Sequence, residues 1–233
     1  MLIKSLSFKF DAHQKNYFFK DLTATFTPNT VHMIEGDNGV GKSTFFNILQ
    51  GEVPPNAFVE LSLELDGVSY STHHNMMPPA FTQQVHMVRQ QYDSMIASQF
   101  SFIENLQLAN MGTYPRMAPL AHATLLDMAA SLGIDIHTPA YRLSGGQRQL
   151  LAILMALQKP TKLLLLDEPT ATLDVKNTQI IMRCLNQLAE QLKVTMLIIC
   201  HDKELVRMYA HDRSFCMRQV EDGQRTLQKC TDG

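Results

Sequence analysis

The chain contains no tryptophan, and its four cysteines, Cys184, Cys200, Cys216 and Cys230, show neither Cys-x-x-Cys nor Cys/His ligand spacing. Without such spacing, a zinc ribbon or a disulfide framework has no support, and reduced, buried thiols are expected. A membrane-crossing helix needs ~18 to 20 apolar residues. Nothing here approaches that length, the most apolar runs being 163–166 and 196–200. A basic stripe is also missing: 20 Lys and Arg face 22 Asp and Glu, for a net charge of −2. Because phosphate neutralisation supplies most nucleic-acid affinity, the composition argues against DNA or RNA as a partner. The start MLIKSLSFKF lacks the apolar core and small-residue cleavage site of a signal peptide. The expectation is a cytoplasmic chain that reaches a membrane only through a partner.

What is present suits one α/β domain with a smaller insert. The chain has 233 residues, 45% of them hydrophobic and 18% charged, enough to bury a sizeable core. Residues 3–10 and 18–26 alternate as strands, and 31–35 is a short apolar strand. A glycine-rich turn follows it. The pattern then predicts a helix over 43–50 stopped by Gly51, and a strand over 59–65 closed by Asp66-Gly67. Residues 71–79, with His73 and His74, have no period and read as a solvated loop; no third ligand is spaced to join the histidines.

From 92 to 143 the pattern turns helical, with 102–109 and 120–132 the better helices. It reads as an inserted helical subdomain, 92–143, between two stretches of core and β subdomain, 1–91 and 144–220. Beyond it, a buried helix over 147–157, an apolar strand over 163–167, a helix over 175–192, a strand over 194–200 and a helix over 202–210 alternate as in a parallel sheet.

Three motifs carry chemistry. Gly36-Asp37-Asn38-Gly39-Val40-Gly41-Lys42-Ser43 fits the phosphate-loop pattern and lies between an apolar strand and a helix. Its glycines let backbone N–H groups wrap a phosphate, Lys42 supplies charge to the β- and γ-phosphates, Ser43 offers a hydroxyl to Mg²⁺, and Thr44 continues the site. At the end of Leu163-Leu164-Leu165-Leu166, Asp167 and Glu168 place two carboxylates where parallel sheets bind ligands. Asp167 can hold Mg²⁺ while Glu168 polarises the attacking water. Leu143-Ser144-Gly145-Gly146-Gln147 opens a helix as a second anion site.

Together these motifs resemble one family, the ABC ATPases, whose signature is LSGGQ. The resemblance runs from Leu2 to about Gln219. It implies a RecA-like P-loop NTPase core, an N-terminal antiparallel β subdomain and an inserted α-helical subdomain. It further implies ATP and Mg²⁺ as ligands, and a dimer in which Ser144, Gly145, Gly146 and Gln147 of one copy close over the ATP of another. Phe10 looks like the aromatic that stacks on adenine, though the family more often has Tyr and a core aromatic is the alternative. His201 looks like the switch histidine reaching the γ-phosphate, and Ala171-Thr172-Leu173-Asp174 resembles the loop coupling the two sites. Gln90 is chosen as the glutamine that touches Mg²⁺ and the membrane partner, with Gln91 left as the alternative.

The implied partners are a second ATPase subunit, a transmembrane permease and a substrate-binding protein, which would place the chain on the inner face of the cell membrane. A finer similarity points to bacterial importer cassettes paired with amino-acid-type binding proteins, although Glu168-Pro169 departs from that group's usual sequence. Two rivals are a non-transport ABC ATPase in DNA maintenance or translation, and an ATP-holding regulatory module. The first would carry a coiled-coil insertion, zinc-binding cysteine pairs or a second cassette; intact Glu168 and His201 oppose the second.

Overall fold

The computed structural model describes residues 1–111, 124–171, 173–210, 212–220 and 223–230. Among these residues, ten strands form one sheet in the order β5-β4-β1-β2-β10-β9-β3-β8-β7-β6. They are β1 (Leu2–Lys9), β2 (Phe19–Thr25), β3 (Val31–Glu35), β4 (Phe58–Leu65), β5 (Val68–Ser71), β6 (Val85–Val88), β7 (Leu163–Asp167), β8 (Thr195–Ile199), β9 (Ser214–Gln219) and β10 (Arg225–Lys229). Half of the sheet is parallel: β9, β3, β8, β7 and β6 all run the same way. The other half, β2, β1, β4 and β5, is antiparallel, and β10 bridges the two.

Continuous apolar runs make the parallel strands because both faces are covered. Leu163, Leu165, Leu197 and Ile199 point into one core, with Phe45, Phe46, Ile48 and the antiparallel strands. Leu164, Leu166, Met196 and Ile198 point into the other, under the remaining helices. Period-two alternation along each strand thus feeds two cores at once.

Among the described residues, seven α-helices accompany the sheet: α1 (Lys42–Gln50), α2 (Pro79–Thr82), α3 (Phe102–Asn110), α4 (Thr124–Ser131), α5 (Gly145–Ala156), α6 (Val175–Leu192) and α7 (Lys203–Ala210). Glycines in left-handed conformation bound α1, Gly41 at φ 108° and Gly51 at φ 85°, the geometry a residue without Cβ adopts at low cost. The expected helix over 120–132 is described only from Thr124; residues 120–123 lie outside the described residues. Between 92 and 143 the described structure is helix, turn and loop, joined to α5 by the Tyr92 hydroxyl, which donates to the Gly145 carbonyl at 3.2 Å.

The end of the chain departs from expectation. Strict strand–helix alternation stops at α7, and β9 and β10 close the chain as an antiparallel hairpin. Residues 225–229 have only five positions and one buried side chain, Leu227, too little for an apolar period to show. That hairpin also overturns the reading of the cysteines. Cys216 and Cys230, fourteen residues apart with Cα atoms 5.4 Å apart, are joined by a disulfide. Cys184 and Cys200 remain free, buried thiols as expected. The pairing was invisible because strand register across an unrecognised hairpin, not sequence spacing, brings the two sulfurs together.

Candidate active site

Adjacency of β3, β8 and β7 in the parallel sheet decides where the chemistry sits. Ile34 pairs with Ile199, and Ile199 pairs with Asp167, so three strands end side by side at their carboxyl edge. From β3 springs the loop Gly36–Ser43, from β7 come Asp167 and Glu168, and from β8 comes His201. One cleft is lined by Asn38, Gly39, Gly41, Lys42, Ser43, Thr44, Glu168 and His201. Residues more than 120 positions apart in sequence therefore face one another.

Within it, the Lys42 side chain is almost fully buried. Its ammonium donates to the Gly36 carbonyl at 2.7 Å and the Asp37 carbonyl at 2.9 Å, so the loop is folded around its own cation. Burial lowers the Lys42 pKa, an effect opposed by Glu168, Asp167 and Asp37. The close approach is built by two glycines. A Cβ on Gly36 would stand 2.4 Å from the Met217 carbonyl, and one on Gly41 would stand 2.6 Å from the Phe18 ring; no L side chain fits either place.

Glu168 has φ 52°, a left-handed conformation that costs a non-glycine residue on the order of 1 kcal/mol. Its N–H donates to the Ile199 carbonyl at 3.2 Å, and its Oε1 lies 2.9 Å from His201 Nε2. The strand end thus turns the carboxylate toward the neighbouring strand's histidine. Asp167 is pushed above the usual carboxylate range, first by burial and then by the charge of Glu168, against Arg89, Lys42 and His201. Two adjacent carboxylates in this setting favour a bound cation.

That shift has a measurable sign. Unfolded, the Asp167 carboxyl ionises near 3.8; folded, it holds its proton to higher pH. As pH rises past 3.8 the charged form lowers stability, and the cost is complete above the folded pKa. Asp167→Asn is expected to raise the melting temperature of the ligand-free protein at pH 7, because it removes a charge that burial disfavours. The gain should fade as pH drops through 3.8 and disappear well below it, where the wild-type carboxyl is neutral in both states. Thermal melts of both proteins at several pH values check it; equal melting temperatures at pH 7 would contradict the buried-charge assignment.

At the flank of the loop, Phe10 is 41% exposed and its ring lies 4.9 Å from those of Phe8 and Phe18. Phe18 in turn underlies Gly41, and the Arg225 guanidinium sits 4.0 Å over the Phe18 ring. Neither Phe18 nor Arg225 was singled out from the sequence. The first lay in a strand pattern, and the second needs the terminal hairpin to arrive. Gln90 and Gln91 are both exposed just past β6. Arg89 beside them pairs with Glu52 and donates to Asn47 at 3.5 Å, tying the start of this loop to the end of α1.

The signature is not part of this cleft. Ser144, Gly146 and Gln147 line a separate cavity with Asn177, Ile180 and Leu150. There Ser144 caps α5 by a reciprocal pair: its Oγ accepts from the Gln147 N–H at 3.3 Å, and Gln147 Oε1 accepts from the Ser144 N–H at 3.0 Å. This is a capping box, readable from Ser-x-x-Gln, and it leaves the Ser144 hydroxyl proton free of that bond. Asp174 caps α6 in a similar way. Its two oxygens accept from the backbone and side-chain N–H groups of Asn177, both at 2.8 Å, and the backbone N–H chiefly lowers its pKa. Of the Ala171–Asp174 loop, Thr172 lies outside the described residues.

The family model described as ABC transporter matches residues 19–171. The phosphonates import ATP-binding protein of Hyphomonas neptunium is 31% identical over 199 residues, 80% of this chain and 72% of that protein. The methionine import ATP-binding protein of Vibrio cholerae is 28% identical over 213 residues, 90% of this chain but 60% of its own length. Among solved structures, cbiO1 of Clostridium perfringens, part of the ABC transporter complex cbiONQ, superposes with TM-score 0.74 at 24% identity, covering 98% of this chain and 87% of that one. A dimeric ATP-binding cassette in a post-hydrolysis state with ADP and Pi gives TM-score 0.67 at 23% identity over 100% and 99% of the chains. These two show the shared fold. With the phosphate loop, the paired carboxylates and the signature in place, this chain belongs to the ABC transporter family.

Proposed function

We propose that the chain binds Mg–ATP in the Lys42 cleft, hydrolyses it, and couples that cycle to a membrane permease. The observation that carries this reading is the meeting of Lys42, Glu168 and His201 in one cleft at the ends of three adjacent strands. A pure binding module has no use for a strained carboxylate aimed at a histidine beside a phosphate loop.

In this reading Lys42 and the loop N–H groups hold the β- and γ-phosphates, and Phe10 offers its exposed ring to adenine. Ser43, Asp167 and Gln90 are oxygen donors, a set that suits Mg²⁺. The ion would neutralise phosphate charge as the bond to the leaving oxygen breaks. Glu168 accepts a proton from the attacking water, and His201, now on Glu168, orients that carboxylate and turns toward the γ-phosphate when nucleotide is present. Because Ser144–Gln147 lies outside the cleft of its own chain, a second copy or a related subunit supplies it. ATP then closes the dimer, and hydrolysis reopens it.

The names of the curated relatives support a role in import, and the permease is where cargo is chosen. No described helix is long and apolar enough to cross a membrane. On α3, Leu108 is 37% exposed. A photo-cross-linker placed at Leu108 in native membranes is expected to capture a polytopic membrane protein. Capture of only soluble proteins or nucleic acid would move the chain to the non-transport branch, and a substrate-binding protein should be found only through the permease.

A further inference from the structure

Beside the phosphate loop lies a group that ATP chemistry leaves unused. Cys216 on β9 and Cys230 just past β10 are joined across the terminal hairpin, and Glu35, opposite Cys216 on β3, sets its Oε1 2.9 Å from one sulfur and 3.1 Å from the other. Glu35 is covalently joined to Gly36, the first residue of the loop. Met217, next to Cys216, presses its carbonyl against the Cα of Gly36, where a Cβ would meet it at 2.4 Å. The sulfur pair therefore adjoins the loop through both β3 and β9.

We propose that Cys216 and Cys230 form a reversible thiol–disulfide pair that exchanges with small-molecule disulfides and tightens nucleotide binding when oxidised. Cys216 is the entry point, since it lines an open cleft with Gly36, Asp37, Asn38, His201, Lys203 and Arg218. The charge nearest its sulfur is the Glu35 carboxylate at 2.9 Å, which can accept the thiol proton as the thiolate forms. In the reduced chain, the Cys216 thiolate attacks one sulfur of a small disulfide RSSR and releases one thiol. Cys230 then attacks the Cys216 sulfur of the mixed disulfide and releases the second. Overall, two protein thiols and RSSR give one protein disulfide and two RSH, with the two electrons passed to RSSR.

The two states differ at Glu35. In the dithiol, both sulfurs carry protons and can donate to its carboxylate; in the disulfide neither can, and the hairpin that supports Gly36 is cross-linked. A support fixed before the ligand arrives lowers the ordering cost of binding. The other two cysteines cannot substitute. Cys184 and Cys200 are buried, and burial pushes the Cys200 thiol up to about 11.

The test uses the whole purified protein in buffers of graded reduced-to-oxidised glutathione ratio, quenched by denaturation in an alkylating reagent and read by peptide mass spectrometry. Cys216 and Cys230 should lose alkylation together in one two-electron step, while Cys184 and Cys200 stay alkylated throughout. Cys230→Ser should halt Cys216 as the mixed disulfide with glutathione. Cysteines 216 and 230 that stay alkylated at every ratio, or that titrate independently, would overturn the proposal. So would a stoichiometric zinc ion held by the reduced protein that blocks exchange. ADP affinity measured in both states should be at least about threefold tighter in the oxidised form; equal affinity overturns the link to the loop. Absence of ADP binding in both states counts instead against the proposed function, and leaves the exchange result readable.

Discussion

Glu168→Gln is expected to bind ATP about as well as the unmutated chain and to hydrolyse it roughly 10²- to 10⁴-fold more slowly, the range a positioned general base contributes. The substitution keeps the size of the side chain and an oxygen that can face His201, now 2.9 Å from the carboxylate. What it removes is the acceptor for the water's proton. Lys42 still lies in the folded loop, held by the Gly36 and Asp37 carbonyls, and Asp167 is untouched, so binding and chemistry should separate cleanly. Single-turnover hydrolysis alongside equilibrium ATP binding measures both. Turnover at the unmutated rate would remove Glu168 from the chemistry.

Lys42→Ala should produce the opposite pattern, with nucleotide binding itself weakened by about 10- to 100-fold, the loss expected for a charge-assisted contact of roughly 1.5 to 3 kcal/mol. The ammonium is buried and bonded only to loop carbonyls among its described contacts, so a phosphate would meet a cation already stripped of most of its water. Removing it also removes the donor to those two carbonyls. A thermal melt of the ligand-free variant therefore separates loss of the charge from loss of the fold. Unchanged affinity in a folded variant would move the phosphate site away from the Gly36–Ser43 loop.

Much of this site was legible because its signals are local. A glycine-rich loop after an apolar strand, two carboxylates after another and a histidine after a third are all short-range patterns, and right-handed parallel crossovers bring the ends of such strands to one edge. The described boundaries of α1 and α6 agree with the periodicity because glycine stops the first and Asp174 starts the second. What escaped has two causes. Arg225 over Phe18 needs a strand from the end of the chain to dock against one from its beginning, whereas the β9–β10 hairpin and the Cys216–Cys230 link are local but rest on a five-residue strand with a single buried side chain. The four-residue β5 was missed for a related reason: it is too short for a period to emerge. Local rules did contain the helix caps of Ser144 and Ser101, each followed three residues later by Gln147 or Glu104.

The central claim is that ATP is clamped between the phosphate loop of one copy and the Ser144–Gln147 turn of another. Size-exclusion chromatography of purified Glu168→Gln protein, with and without saturating Mg–ATP, tests it most directly. The account predicts a monomer without nucleotide and a dimer with it. A return to monomer is expected when Ser144→Arg fills the anion site at the start of α5 with a bulky side chain. A Glu168→Gln protein that binds ATP yet elutes as a monomer, alone and with its natural partner subunit, would contradict the account.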